Sequence, residues 1–476
     1  MNIAMLLEMA ADGLGDRVAF GSRDGGLTYA RVRELATGVG AHVARSGAHT
    51  VALVHETTTL TPVALFGAAW GGASYAPLNY RLPEAARLEL LHRLRPAEVA
   101  DDAWLEFAPE AGHAFPDEPA HPAVLLFTSG STAEPKAAVL SHDQLLAYQL
   151  NTVEFASAED DEAALVAVPP FHIAGVTAIL SSTYAGRRIV PLPRFTAEEW
   201  LATARAESVT HAFVVPTMLA RIVAAMEDDP DLRVPTLRHL AYGGARMPAP
   251  VLARALRLFP DAGFVNAYGL TETSSTVSVL GPDDHRAALD GDPANQRRLS
   301  SVGRPVPGIE VRVVDEQGAE VPADASGEVH VRGAQVSGDY VGEGSHRDGD
   351  GWLRTGDRGR IDTDGYLYIE GRGDDTIIRG GENISPAEIE DALLHHPAVA
   401  SAAVVGLPDE EWGERVAAMV SLRANASATP DELRTFVHDL IGSLKTPETL
   451  EVVDELPHTA TGKILRRQVK ADLAGL

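Results

Sequence analysis

Along the first 370 or so residues, apolar runs of strand length recur and each is followed by a helical pattern. The clearest runs are Thr50 to His55, Val124 to Thr128, Ala164 to Val168, His211 to Val215 and Gly263 to Ala267. Runs of this length and spacing specify an α/β architecture with largely parallel sheets, because each helix must carry the chain back before the next strand can be laid down. The pattern changes at Val302 to Arg332, where GIEVRVVD and GEVHVRG are separated by turn residues and predict an antiparallel sheet or a small β-barrel. Asp364-Gly365, between GRID and YLYIEG, reads as a tight hairpin turn. Beyond Gly371 the spacing predicts a strand at Asp375 to Arg379, a helix at Ser385 to Leu394, strands at Val399 to Gly406 and Arg415 to Leu422, and a helix at Thr429 to Ile441. That is enough material for an α+β domain of its own, and GRGDD is the natural boundary. With 476 residues, more than one hydrophobic core is required. The expected organisation is therefore a large α/β domain with a small β-barrel at 1–373 and a small C-terminal domain at 374–476.

Composition narrows the partners. A formal charge of −27 repels phosphate backbones and anionic lipid surfaces, which argues against nucleic acid as a partner. If the substrate is an anion, its basic contacts must be local, so Lys136, Arg372 and Lys463, each beside small residues, become informative. The chain has no cysteine, which removes disulfides, thiolate metal sites and cysteine nucleophiles and is compatible with a cytoplasmic location. The first twenty residues carry acids inside their apolar stretch and read as a helix, not a leader. Two uncharged runs, Thr57 to Tyr80 and Ala163 to Gly186, are broken by Gly or Pro, which predicts buried core elements and no membrane span.

Four stretches carry chemistry. In LLFTSGSTAEPKAAVLSH, Leu125 to His142, a buried strand runs into Thr128, Ser129, Gly130, Ser131 and Thr132, closed by Pro135 and Lys136 before a helix capped by Ser141. Small residues let backbone N–H groups approach an anion, hydroxyls donate further bonds, and one lysine balances phosphate charge. It is not the G-x-x-x-x-G-K-[ST] loop, and a polar strand-to-helix turn also fits it. In NAYGLTETSS, Asn266 to Ser275, Tyr268 can stack on a flat ring, Thr271 can donate to phosphate and Glu272 offers a carboxylate to Mg²⁺. Upstream, Gly243, Gly244 and Ala245 make a bare-backbone stretch against which a ring can lie, although taken alone a simple Gly-Gly turn explains it better. In the stretch from Trp352 to Glu390, Asp357 can accept both hydroxyls of a ribose and Arg372 can add a donor. In LPHTATGKILRRQ, Lys463 follows a glycine, and alone would read as a solvated side chain.

In this order and spacing the four stretches resemble the acyl-adenylate-forming family of acyl-CoA synthetases, nonribosomal peptide adenylation domains and firefly-type luciferases. The resemblance runs from LTYARVRELA at Leu27 to the terminal TGKILRR. It implies an AMP-forming acid–thiol ligase using ATP, Mg²⁺ and coenzyme A. Thr128 to Lys136 would hold the triphosphate, Gly243 to Ala245 and Tyr268 would border adenine, and Thr271 would contact the α-phosphate. Glu272 would bind Mg²⁺, Asp357 and Arg372 the ribose, and Lys463 would bridge substrate carboxylate and AMP phosphate. Asp374 matches the family's hinge, about which a mobile C-terminal domain would turn to replace Lys463 by Thr376 to Ile384, with Gly380 and Gly381 walling a pantetheine path. GGENI at Gly380 to Ile384 looks most like acyl- and aryl-CoA ligases.

His172, in PPFHIAG, would lie between acyl pocket and thiol path, and Ile173 after it, where amino-acid-activating members carry a carboxylate, argues against an amino-acid substrate. Phe213 to Met218 contains no charge and favours an apolar, aromatic or polycyclic acid. The sequence departs from the family at Ala133 and Ala137, where glycine is usual, and at Glu134, which adds negative charge beside the phosphates. The alternatives are an adenylating enzyme that passes acyl-AMP to a carrier protein or a downstream acyltransferase, and a nucleotide-binding homologue with little catalysis. Either a monomer or a homodimer fits.

Overall fold

The computed structural model describes residues 1–110, 112–128, 135–379, 382–409, 412–423, 425–459 and 464–475, with the backbone alone at 230, 374 and 383. These residues form a mixed α/β structure with four sheets among them. A seven-stranded sheet runs in the order Gly344–Ser345, Asp339–Tyr340, Lys136–Leu140, Val124–Thr128, Ser74–Pro77, Thr50–Leu53, Ala97–Val99. Its last four strands are parallel and its first three join antiparallel. A nine-stranded sheet is parallel through its middle, from Gly263–Leu270 through His239–Gly243, His211–Val214 and Ala163–Val166 to Arg188–Pro191.

The two sheets share one core. Side chains from both, including Val51, Tyr75 and Val124 from the first and Val166 and Ile189 from the second, pack with the helices Ala4–Leu14, Leu60–Trp70 and Ile173–Ala185. Leu60–Trp70 is buried at every position, which is why its stretch of sequence carries no charge: a helix apolar all round finds no water to face. No helix among the described residues is long and apolar enough to cross a membrane. Each fully buried Leu or Phe of this core contributes about 1.5–3 kcal/mol by leaving water.

Two expectations are corrected. The segment predicted as a small β-barrel is an open antiparallel sheet in the order Ile309–Val314, Gly327–Gly333, Leu353–Ile361, Leu367–Arg372. Four strands are too few to close around a filled interior; this sheet buries Val313, Val329, Val331 and Leu353 with Val277 of the nine-stranded sheet. The hairpin at Asp364-Gly365 is present, with Gly365 at φ +82° and its N–H bonded to Asp362 O at 3.0 Å. Second, the phosphate-loop stretch is not a strand-to-helix turn. Lys136–Leu140 is itself a strand, paired antiparallel with Val124–Thr128, and only then does Ser141 cap the helix His142–Thr152. KAAVL supplies the small and apolar side chains that such a strand buries.

From Ile377 onward the chain builds cores of its own. The strands Val399–Asp409 and Gly413–Leu422 form a long antiparallel pair, and Gly413–Leu422 is extended by Ile377–Arg379, with Glu382–Ile384 beyond it, and by Thr449–Val453. Val404, Val416, Ala418 and Val420 face the helices Pro386–Leu394 and Pro430–Ile441, while Ala403, Val405, Ala417 and Met419 face Arg466–Ala474. This is the two-residue period of a sheet covered on both faces. Asp374 lies in the short 3-10 turn Gly373–Asp375 that leads into this region. Arg246 forms an ion pair with Asp391 of Pro386–Leu394, Arg221 Nη2 lies 3.5 Å from Glu455 Oε1, and Ser385 Oγ donates to Glu370 O at 2.7 Å.

Candidate functional site

The site residues gather where the parallel strands His239–Gly243 and Gly263–Leu270 end. Gly243 pairs with Ala267, and a Cβ on it would lie 2.2 Å from Ala267 O and 3.5 Å from the Phe213 ring, so only glycine fits. Gly244 follows at φ +79°, and Gly244 and Ala245 are exposed. Behind them Tyr242 is fully buried, its hydroxyl 2.8 Å from His285 Nε2, and His285 Nδ1 lies 2.7 Å from Gly281 O. The result is a side-chain-free ledge on a rigid, satisfied backing.

Tyr268 and Asp357 meet across 89 residues of sequence: the phenol donates to Asp357 Oδ2 at 2.5 Å. Asp357 sits on Leu353–Ile361 and its ladder partner is Arg372, whose Nε is 3.0 Å from Asp357 Oδ1 and whose Nη1 donates to Thr355 O at 2.7 Å. Burial, reinforced by the Asp357 charge, pushes the Tyr268 phenol well above its ordinary range, so it remains a donor. The aspartate is nearly enclosed whereas the arginine is half exposed, so the anion is held in place by its neighbours while its partner reaches solvent.

Glu272 lies in the 3-10 turn Thr271–Thr273, with Thr271 beside it and partly buried. Ser274 and Ser275 follow at φ +53° and +104°, a conformation that non-glycine residues adopt only under constraint. The constraint comes from a distant segment. Gln335 Nε2 donates to Thr273 O at 3.0 Å and Thr276 O at 2.9 Å, Ser274 Oγ donates to Gln335 O at 2.8 Å, and Ser337 N donates to Glu272 O at 2.7 Å. The Tyr340 hydroxyl donates to Glu272 Oε1. Burial and the Glu272 carboxylate both push this phenol upward. On the other side of Tyr340, Lys136 Nζ is 6.0 Å from the ring centroid and pairs with Glu343 Oε2 at 2.9 Å, and the Thr128 hydroxyl donates to Lys136 O at 3.4 Å. The His346 ring lies tilted against Tyr340 with centroids 4.9 Å apart, and its Nε2 is 3.3 Å from Glu343 Oε2.

Two clusters thus form: Tyr268, Asp357 and Arg372 in one, and Thr128, Lys136 and Glu272 around Tyr340 in the other. His172 precedes the helix Ile173–Ala185 with its ring 4.7 Å from Phe171, which in turn lies 5.7 Å from Tyr80. Ser129, Gly130, Ser131, Thr132, Gly380, Gly381 and Lys463 lie outside the described residues. Sequence reasoning missed Gln335, Ser337, Tyr340 and Glu343, because GDYVGEG reads locally as a glycine-rich turn and nothing in it points to Glu272. The Glu272 carboxylate, two hydroxyls, an ammonium and a ledge that a Cβ would fill suit a nucleotide polyphosphate with Mg²⁺, which takes one or two protein carboxylates and completes its shell with phosphate and water.

Residues 93–341 match the family of AMP-binding enzymes and residues 388–463 match the AMP-binding enzyme C-terminal domain. The chain is similar to a feruloyl-CoA synthase of Amycolatopsis sp, 34% identical over 480 residues and 94% of each chain. A fatty acid–[acyl-carrier-protein] ligase of Streptomyces coeruleorubidus is 33% identical over 446 residues, covering 85% of this chain and 83% of that protein. The fold superposes on o-succinylbenzoate CoA synthetase from Bacillus subtilis, in complex with its acyl-adenylate intermediate, with a TM-score of 0.82 at 27% identity over 98% of this chain and 97% of the other. Two models of one family together match residues 93–341 and 388–463, and relatives 33% and 34% identical cover most of the chain: it belongs to the AMP-binding enzymes.

Proposed function

We propose that the protein activates a carboxylic acid with ATP and Mg²⁺ to an acyl-AMP and then transfers the acyl group to coenzyme A. In the first step a carboxylate oxygen attacks the α-phosphorus, the bond to the bridging oxygen breaks and pyrophosphate leaves. In the second a thiolate attacks the acyl carbonyl and AMP leaves. The observation that carries this reading is the pair of clusters at the strand ends, an enclosed anion with two donors beside a carboxylate–phenol–ammonium group, within a chain of this family.

In this reading Asp357 and Arg372 hold the ribose, Gly243, Gly244, Ala245 and Tyr268 border the adenine, and Thr128, Ser129, Gly130, Ser131, Thr132 and Lys136 hold the triphosphate. Thr271 donates to the α-phosphate. Glu272 is the carboxylate for Mg²⁺, which would neutralise phosphate charge when bound. Lys463 stabilises the negative charge that develops as the acid attacks. The C-terminal domain, taken as 374–476 and turning about Asp374, would deliver Lys463 for the first step and bring Gly380 and Gly381 in for the second, with His172 beside the thiol path. The Arg246–Asp391 pair would hold one of these arrangements. Phe213, whose ring approaches Gly243, and the uncharged run to Met218 favour an apolar or aromatic acid.

The test is ATP–pyrophosphate exchange over a library of carboxylic acids, followed by AMP release with and without coenzyme A. Exchange with apolar or aromatic acids and AMP release that requires coenzyme A are expected. Silence over a broad library would favour a nucleotide-binding homologue. A second reading, transfer to an acyl carrier protein, is favoured by the similarity to the fatty acid–[acyl-carrier-protein] ligase. AMP release driven by a phosphopantetheinylated carrier and not by coenzyme A would select it.

A further inference from the structure

We propose that Tyr340 is a positioning residue for Glu272, and that its segment sets the distance between the metal carboxylate and the lysine of the phosphate loop. The inference rests on the reading above that Glu272 serves Mg²⁺ and Lys136 the triphosphate. These two side chains come from different sheets: Glu272 follows the strand Gly263–Leu270 of the nine-stranded sheet, and Lys136 opens a strand of the seven-stranded one. Residues 337–341 touch both. Asp339 pairs with Val139 and Tyr340 with Ala138, and Val341 N donates to Ala137 O at 2.9 Å, so the main chain of Tyr340 is tied to the lysine strand. In the other direction Ser337 N donates to Glu272 O at 2.7 Å and the Tyr340 hydroxyl donates to Glu272 Oε1.

A glutamate on a turn has three rotatable bonds, and a metal carboxylate that must be ordered at each binding event binds its cation less tightly. The phenol removes that cost in advance by holding one carboxylate oxygen, the role that outer hydrogen-bond partners play around metal ligands generally. The main-chain bond from Ser337 fixes the peptide of the same residue, so the backbone and the carboxylate of Glu272 are both anchored to the short segment that carries the strand Asp339–Tyr340. Because that strand is a neighbour of Lys136–Leu140 in the ladder, a shift of one sheet against the other moves carboxylate and ammonium together.

Tyr340→Phe separates this role from packing, since it keeps the ring against His346 and Lys136 and the ladder to Ala138 and removes only the hydroxyl. Calorimetric binding of ATP, with Mg²⁺ and with EDTA, is measured on the full chain, together with the Mg²⁺ concentration that gives half of the Mg²⁺-dependent gain in ATP affinity. Removing an outer hydrogen bond to a metal ligand costs roughly 10–100-fold in metal affinity. The variant is therefore expected to need at least ~10-fold more Mg²⁺ while binding ATP in EDTA as the wild type does, and adding it to Glu272→Gln should change nothing further. Tyr340→His, which keeps a ring donor, should recover part of the Mg²⁺ response, and this gives an independent answer if the phenylalanine variant melts early. An unchanged Mg²⁺ requirement, an equal loss of affinity with and without Mg²⁺, or additive effects of Tyr340→Phe and Glu272→Gln would overturn the inference. A wild-type protein that binds no ATP in either condition would instead overturn the underlying reading of the site.

Discussion

Replacing Asp357 by asparagine should cost about two powers of ten in ATP affinity and reduce the discrimination between ATP and 2′,3′-dideoxy-ATP by about the same factor. The carboxylate is almost enclosed and lies 2.5 Å from the Tyr268 hydroxyl and 3.0 Å from Arg372 Nε. Hydrogen bonds to a charged acceptor contribute about 1.5–3 kcal/mol and those to a neutral one about 0.5–1.5. Two ribose hydroxyls moved from the first class to the second therefore lose ~2–3 kcal/mol together, roughly 30–150-fold at 1.4 kcal/mol per tenfold. The amide adds a conflict, because Tyr268 and Arg372 both donate, and one of them must now face an NH₂ group. Calorimetric titration of both nucleotides into wild type and variant reads the effect without needing the acid substrate, and thermal melting shows how much of it reflects folding. A folded variant that still prefers ATP over the dideoxy analogue by the wild-type ratio would refute the assignment of Asp357 to the ribose.

Gly243→Ala should lower both the melting temperature and nucleotide affinity, since its Cβ would stand 2.2 Å from Ala267 O; overpacking of this kind costs about 1–3 kcal/mol. Gly281→Ala, with nothing within 4 Å of the added carbon and no positive φ, is the tolerated control by the same melting assay. His211 is depressed to about 3 by burial and by the Arg187, His239 and Arg238 charges, and although Glu162 lies 3.8 Å away, that carboxylate is already held by Arg187 at 2.8 Å. The folded protein thus holds a neutral ring and the unfolded chain binds the proton below about pH 6.5, so this contribution is complete above that pH and is lost as pH falls. Urea unfolding between pH 7 and pH 4.5 should show stability falling by up to ~1.4 kcal/mol per pH unit from this group, and His211→Asn should flatten the slope. Lys463→Ala should cut adenylation by orders of magnitude while sparing thioester formation from supplied acyl-AMP; equal loss in both half-reactions would contradict delivery of the lysine by domain rotation.

Elements written in local pattern were legible. Val124–Thr128 has the bounds that its apolar run predicts, and His211–Val214 and Ala163–Val166 differ from expectation by one or two residues at their ends. Gly263–Leu270 runs three residues beyond the predicted end because Ser275–Leu280 pairs antiparallel with it, and that support comes from the partner strand and not from the run itself. The same applies to Lys136–Leu140, where KAAVL is too short and too small in its side chains to declare a strand until Val124–Thr128 lies beside it. The open four-stranded sheet could not be told from a barrel because closure depends on which edges meet, and alternation along each strand is identical in both cases.

By itself the sequence determined the alternating α/β order, the family, and the residue types that we propose for a nucleotide: glycines at 243 and 244, the acids Glu272 and Asp357, the cations Lys136 and Arg372. These follow from neighbours within a few positions, where backbone preference, turn chemistry and periodicity act. Only the tertiary structure decided that Tyr268 donates to Asp357, 89 residues away, and that Tyr340 donates to Glu272, 68 residues away. A hydrogen bond between sheets leaves no mark in either strand's own pattern, because each residue satisfies its local rules whether or not the partner arrives.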